Sequence, residues 1–289
     1  VTSVVPTPTS SRTVTGHRGS TAVPTGFPSL DRALAGGFRP GELVVLGGDV
    51  GSGTSALALG VALRVAAGGT ASASGAATPR ALLLSGEMAP ERVIERAVAI
   101  EARVPLEALR LDALDLDQLA RFQAASARLR TQAPAVRWLG AGGPTVVADA
   151  LASGPGAQLV VVDGLEALFD GAAARDDVLA AGVLALKRLA VERAVVVLLV
   201  THLPQLDRER TDRRPRLADF GVRGAVGVHA DVVFGLYREE LYETDLGVTG
   251  AAELLMLKRR DGPPGYVDLY FDRACLRFED MLDDYRRPG

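Results

Sequence analysis

Five short runs along this chain are almost wholly apolar and are bounded by glycine or polar residues: ELVVLGG (42–48), ALLLSGE (81–87), VRWLG (136–140), QLVVVDG (158–164) and AVVVLLVTH (194–202). A strand covered on both faces loses the alternation of a half-exposed one, so these runs predict buried central strands. Between them, SALALGVALRVAA (55–67), PERVIERAVAIEAR (90–103), LDQLARFQAASARLRTQ (116–132) and DVLAAGVLALKRLAVER (177–193) carry apolar residues at three-and-four spacing, the period of a helix with one face inward. Strands and helices alternating in this way predict a parallel sheet joined by crossover helices. Beyond residue 230 the pattern changes. DVVFGLYREELY, AAELLMLKRRDGPPGYVDLYFD and ACLRFED alternate, and a Gly-Pro-Pro-Gly turn at 262–265 predicts antiparallel strands with a hairpin closing one edge.

One α/β domain over residues 25–282 accounts for these elements, with a Ser/Thr/Pro-rich lead at 1–24 expected to be disordered and a short tail at 283–289. Two stretches stand apart. GGTASASGAATPR (68–80) reads as a loop of small residues, and 203–227 is long and arginine-rich, a length at which loops are functional or disordered.

The formal net charge of -3 over 289 residues excludes a protein that is basic throughout, so any nucleic-acid contact needs a local patch. The single cysteine, Cys275, cannot form an internal disulfide and fits a reducing, cytoplasmic setting. No apolar run is long enough to span a bilayer and the N-terminal stretch has no apolar export core, so no membrane contact is expected.

Candidate chemistry begins at Gly48-Asp49-Val50-Gly51-Ser52-Gly53-Thr54-Ser55, between the first strand and the first long helix. Against the phosphate-loop pattern G-x-x-x-x-G-K-[ST], Gly48, Gly53 and Ser55 match and Thr54 stands where the lysine belongs. Two readings are open. The stretch from Gly48 through Gly51, Gly53 and Thr54 to Ser55 is either a cradle of backbone N–H groups for phosphate or a glycine-rich turn that merely starts a helix. Asp163 ends the run QLVVVDG, where an acid can hold Mg2+ through water while the Ser55 hydroxyl ligates the same ion. Glu87 ends the neighbouring run, positioned to activate water. Either acid alone would pass for a strand-end residue facing solvent. Together, at the carboxyl ends of adjacent strands beside a glycine loop, they favour a phosphate site.

The runs TGFPSLDRALAGGFRPGELVVLGG, SGEM, VVVDGLEAL, RTDRRPRLADF, HADVVFGLYREELY and KRRDGPPGYVDLYFDRACLRFED resemble, in order and spacing over about residues 25–280, the C-terminal RecA-like motor domain of the DnaB family of replicative DNA helicases. The resemblance implies a RecA-like P-loop NTPase fold, a homo-oligomer assembled as a hexameric ring, ATP and Mg2+ between neighbouring subunits, and single-stranded DNA in a central channel. It also implies that Asp163 is the Walker B acid, that Glu87 is the general base, and that Lys258 and Arg260 reach the neighbouring subunit's γ-phosphate. His202 occupies the place of a phosphate-sensing glutamine, or is structural. The arginines of the long loop, Arg208, Arg210, Arg213, Arg214, Arg216 and Arg223, are expected to face DNA; the other reading is a solvated face.

Departures from the family are as informative. The loop reads Gly221-Val222-Arg223-Gly224 where helicases typically show Arg-Glu-Ser-Gly, Gly227 replaces a usual glutamate, and the family's N-terminal domain, with its loader and primase docking surface, has no counterpart in the sequence. Lys187 and Lys258 are the only lysines, so in this arginine-biased chain a drifting lysine would most easily have become arginine; Thr54 discards charge and reach together. Two functions follow for testing: an ATP-driven motor on single-stranded DNA with impaired hydrolysis, or a non-catalytic nucleotide-binding accessory module.

Overall fold

All five apolar runs become strands, and each is buried according to its place in one nine-stranded sheet. In the computed structural model the described residues are 22–68, 81–140, 142–153, 156–169, 175–207, 209–243 and 248–281. The lead at 1–21, nearly all of the small-residue loop, Arg208 and the tail lie outside them. The strands are β1 (Leu43–Gly48), β2 (Ala81–Ser85), β3 (Ala135–Trp138), β4 (Leu159–Asp163), β5 (Val196–His202), β6 (Val232–Tyr237), β7 (Ala251–Arg259), β8 (Gly265–Asp272) and β9 (Arg277–Asp280), in the order β3-β2-β4-β5-β1-β6-β7-β8-β9. The first six pair in parallel and the last three antiparallel, with the expected turn at 262–265 between β7 and β8.

The helices are α1 (Pro28–Ala33), α2 (Thr54–Ala67), α3 (Pro90–Ala102), α4 (Leu106–Arg110), α5 (Leu116–Gln132), α6 (Pro144–Ala152), α7 (Asp176–Arg193) and α8 (Ala225–His229). Two cores cover the two faces of the sheet. Val44 and Leu46 of β1 pack with Leu57 and Val61 of α2 on one side, while Leu43 and Val45 pack with Val183 and Leu186 of α7 on the other. Successive side chains point to opposite faces, so a strand covered on both must be apolar at every position. Among the described residues no helix is long and apolar enough to cross a membrane.

Three expectations need correction. VRWLG is not central: β3 is the outermost strand, only partly buried, and Trp138 is exposed. A short apolar run carries no record of how many neighbours it has. DVVFGLYREELY does not open the antiparallel edge either, because β6 lies parallel beside β1 and is wholly buried. Finally, Val23, assigned to the lead, is buried and bridges Phe38, so ordered packing begins before residue 25.

The topology brings the carboxyl ends of the parallel strands to one edge. Gly48 is level with His202 on one side and Leu236 on the other, and Ser85 with Asp163.

Candidate nucleotide site

The loop from β1 to α2 is shaped by close approach. Gly51 and Gly53 have φ of 82° and 99°, in the left-handed region that favours glycine. A Cβ on Gly53 would lie 3.0 Å from the Phe278 ring, and one on Gly48 only 2.3 Å from Ser52 Oγ. Ser52 N–H donates to the Asp49 carbonyl at 3.0 Å, closing the turn, and Leu57 N–H donates to Gly53 at 2.9 Å, starting the helix. The first N–H groups of α2 have no acceptor inside the helix and open at the sheet edge, where the helix dipole favours an anion. Thr54 is buried, with its methyl turned back toward Gly48. It offers this opening neither charge nor reach.

Beside the loop, Ser55 Oγ donates to Asp163 Oδ1 at 2.9 Å. Burial pushes the Asp163 carboxyl up to about 6, against the pull of the Ser55 hydrogen bond and the Arg96 charge. A hydroxyl and a carboxylate are the hard oxygen donors that Mg2+ takes, one directly and one through water. Among the described residues no group of three or more His, Cys, Asp or Glu could hold a metal unaided.

Glu87 lies in the turn two residues beyond β2, with Oε1 3.4 Å from His202 Nε2 at the end of β5. The contact lowers the Glu87 pKa and raises that of His202. The structure therefore gathers Ser55, Asp163, Glu87 and His202 at one edge. It adds two residues that sequence reasoning missed. Glu166, in the 3-10 turn after β4, accepts from the Thr201 hydroxyl at 3.0 Å, while its Oε2 is buried with no hydrogen-bond partner. Arg96 on α3 acts electrostatically on both Asp163 and Glu87, and its Nε is buried without a partner. Its signal was present in the sequence: Arg96 falls between Val93, Ala97 and Ile100, on the inward stripe of the helix that follows Glu87.

Lys258 and Arg260 lie elsewhere. Lys258 is level with Val233, at the far end of β6 from Leu236, which is level with Gly48. Three residues of strand put it about 10 Å down the sheet from the loop. Its Nζ donates to the carbonyls of Gly227 at 2.8 Å and Ala230 at 2.6 Å, and Arg260 Nε donates to Asp231 at 2.8 Å. Within one chain neither meets the glycine loop.

The long loop's arginines divide into two groups. Arg214 makes two bonds to Glu253, at 2.7 and 2.5 Å, and sits over the Tyr237 ring; Arg210 makes two to Asp219, both at 2.8 Å. Arg213 lies 5.1 Å from the centre of the Tyr242 ring. Arg216, 3.8 Å from Asp212, and Arg223, in the left-handed region just before α8, are exposed.

The sequence profile of the DnaB-like helicase C terminal domain matches residues 22–280. The replicative DNA helicase DnaB of Leifsonia xyli subsp. xyli is 31% identical over 277 residues, covering 90% of this chain and 56% of that protein. That of Geobacillus stearothermophilus is 26% identical over 277 residues, covering 90% and 57%. The chain thus spans a little over half the length of these relatives. A solved DnaB-like replicative helicase, described with its primase interactions, superimposes with a TM-score of 0.80 at 23% identity over 93% of this chain and 65% of that one. The RadB recombinase superimposes with a TM-score of 0.55 at 18% identity, over 90% of this chain and all of that one. The extent of the profile match and the superpositions agree, and this chain belongs to the family of DnaB-like helicase C-terminal domains, with the RecA-like ATPase fold.

Proposed function

We propose that this chain binds MgATP through the loop at 48–55, hydrolyses it slowly, and acts on single-stranded DNA in replication or recombination as one subunit of a ring. One observation carries the reading: the Ser55–Asp163 pair stands intact beside a complete glycine loop, while Thr54 is folded inward.

The N–H groups of the loop and of the first turn of α2 donate to phosphate oxygens. Ser55 would ligate Mg2+ directly and Asp163 would hold it through water, and the ion when bound would supply neutralisation of phosphate charge. Glu87, held as a carboxylate by His202, accepts the proton of the attacking water. Arg96 is a cation in the same chain facing both acids. Thr54 withholds one charge-assisted bond, worth about 1.5–3 kcal/mol in binding and more in turnover, where charge shifts at the transition state. Lys258 and Arg260 serve a neighbour's site, where an arginine in trans stabilises the transferring phosphoryl group.

A non-catalytic accessory module is the second reading, and the pairing of Arg210 and Arg214 inside the chain favours it. ATP turnover with and without single-stranded DNA separates the two. Slow turnover that rises with Thr54→Lys and disappears with Glu87→Gln is the expected result. A wild-type rate already on the order of 1–1000 per second would refute the role given to Thr54.

A further inference from the structure

Beneath the phosphate loop lies a buried cation with no part in the motif. Arg238, the residue after β6, is 3% exposed. Its Nη1 donates to the carbonyl oxygens of Gly51 at 3.1 Å and Ser52 at 3.4 Å. Its Nη2 pairs with Glu240, whose other oxygen accepts from Gly250 N–H at 3.1 Å. The guanidinium lies 4.4 Å from the centre of the Phe271 ring, which stacks on Phe278, the ring that faces Gly53. Four residues on, the Tyr242 hydroxyl donates to Asp49 Oδ2 at 3.1 Å. One segment, 238–242, therefore grips the loop at three of its residues.

A trans peptide is planar, so its C=O and N–H point in opposite directions. Drawing the Ser52 carbonyl down onto Arg238 turns the Gly53 N–H of the same peptide to the opposite face, away from the guanidinium. Residues 43–63 contain no lysine or arginine, so the loop has no cation of its own. We propose that Arg238 is a positioning residue of the nucleotide site, fixing the loop's peptide planes so that its N–H groups face the phosphate position where Thr54 offers no charge. This deepens the nucleotide reading and rests on it.

A double-mutant comparison tests the role, with MgATP affinity read by anisotropy of a fluorescent ATP derivative. The Arg238→Gln/Glu240→Gln pair, which leaves no orphan carboxylate, is introduced into the wild-type chain and into Thr54→Lys. The expected losses are tenfold or more in the wild type and threefold or less beside the new lysine. Arg238→Lys, which keeps the charge, is expected to recover part of the wild-type affinity and serves in both backgrounds should the neutral pair not fold. Equal losses in the two backgrounds, as a purely structural residue would give, or a loss below threefold in the wild type, overturn the proposal and leave nucleotide binding standing. A wild-type chain that binds no MgATP overturns the nucleotide reading and Arg238's role with it.

Discussion

Replacing Asp163 by asparagine is expected to stabilise the free chain at neutral and alkaline pH. The carboxyl is buried and its pKa is raised from 3.8 to about 6, chiefly by desolvation. The folded chain therefore holds this proton more tightly than the unfolded chain. Folding takes up a proton between about pH 4 and 6, stability falls as pH rises through that window, and the full penalty is present above it. The difference between the two pKa values corresponds to roughly 3 kcal/mol. The attraction of Arg96 is already counted in the raised value; the figure is an upper bound because the asparagine amide must itself be buried, although its oxygen still accepts from Ser55 Oγ. For a domain of this size 1 kcal/mol moves Tm by about 2–4 °C, so a gain of up to roughly 10 °C is expected at pH 8. Urea unfolding at pH 8 and pH 4.5 is the assay, with the advantage of Asp163→Asn shrinking toward the lower pH. An asparagine variant no more stable than wild type at pH 8, or an advantage independent of pH, would refute the argument from burial. Adding MgATP should then narrow the gap by stabilising only the wild type, since a metal that needs the carboxylate recovers the cost of ionising it.

Three further outcomes follow from the geometry. His202 is raised by Glu87, so Glu87→Gln should lower its titration midpoint in proton NMR; the pair's contribution is complete below about pH 6.5 and fades as pH rises through the raised value. With both side chains nearly half exposed, it amounts to under about 1 kcal/mol. Arg216→Ala with Arg223→Ala should weaken single-stranded DNA in an anisotropy titration and reduce the salt slope by about 1–2 without moving Tm, whereas Arg214→Ala should lower Tm by stranding Glu253; unchanged DNA affinity in the double variant would remove this loop from DNA contact. Sedimentation with a non-hydrolysable ATP analogue should show self-association that Arg260→Ala abolishes, and a monomer at micromolar concentration would exclude a ring.

The apolar runs located five of the six parallel strands, and for the central ones β1, β4 and β5 the reason is that burial on both faces demands an unbroken apolar sequence; the sixth, β6, was expected in the antiparallel edge. The glycine loop, Ser55, Asp163 and Glu87 were legible for a related reason: strand-end position is a property of local sequence, and the rule that sites form at carboxyl ends of parallel strands does the rest. What local sequence could not decide is lateral order and long-range pairing. VRWLG looked like QLVVVDG, yet β3 has one neighbour and β4 has two. The arginines of the long loop were equivalent as letters, but Glu253, some forty residues away, engages Arg214 and leaves Arg216 exposed. Arg238 and Arg96 read as ordinary charges, and only the folded chain brings one beneath the Ser52 carbonyl and the other toward Asp163. A charge takes its role from partners distant in sequence and from the solvent it has lost, and both are set by tertiary packing.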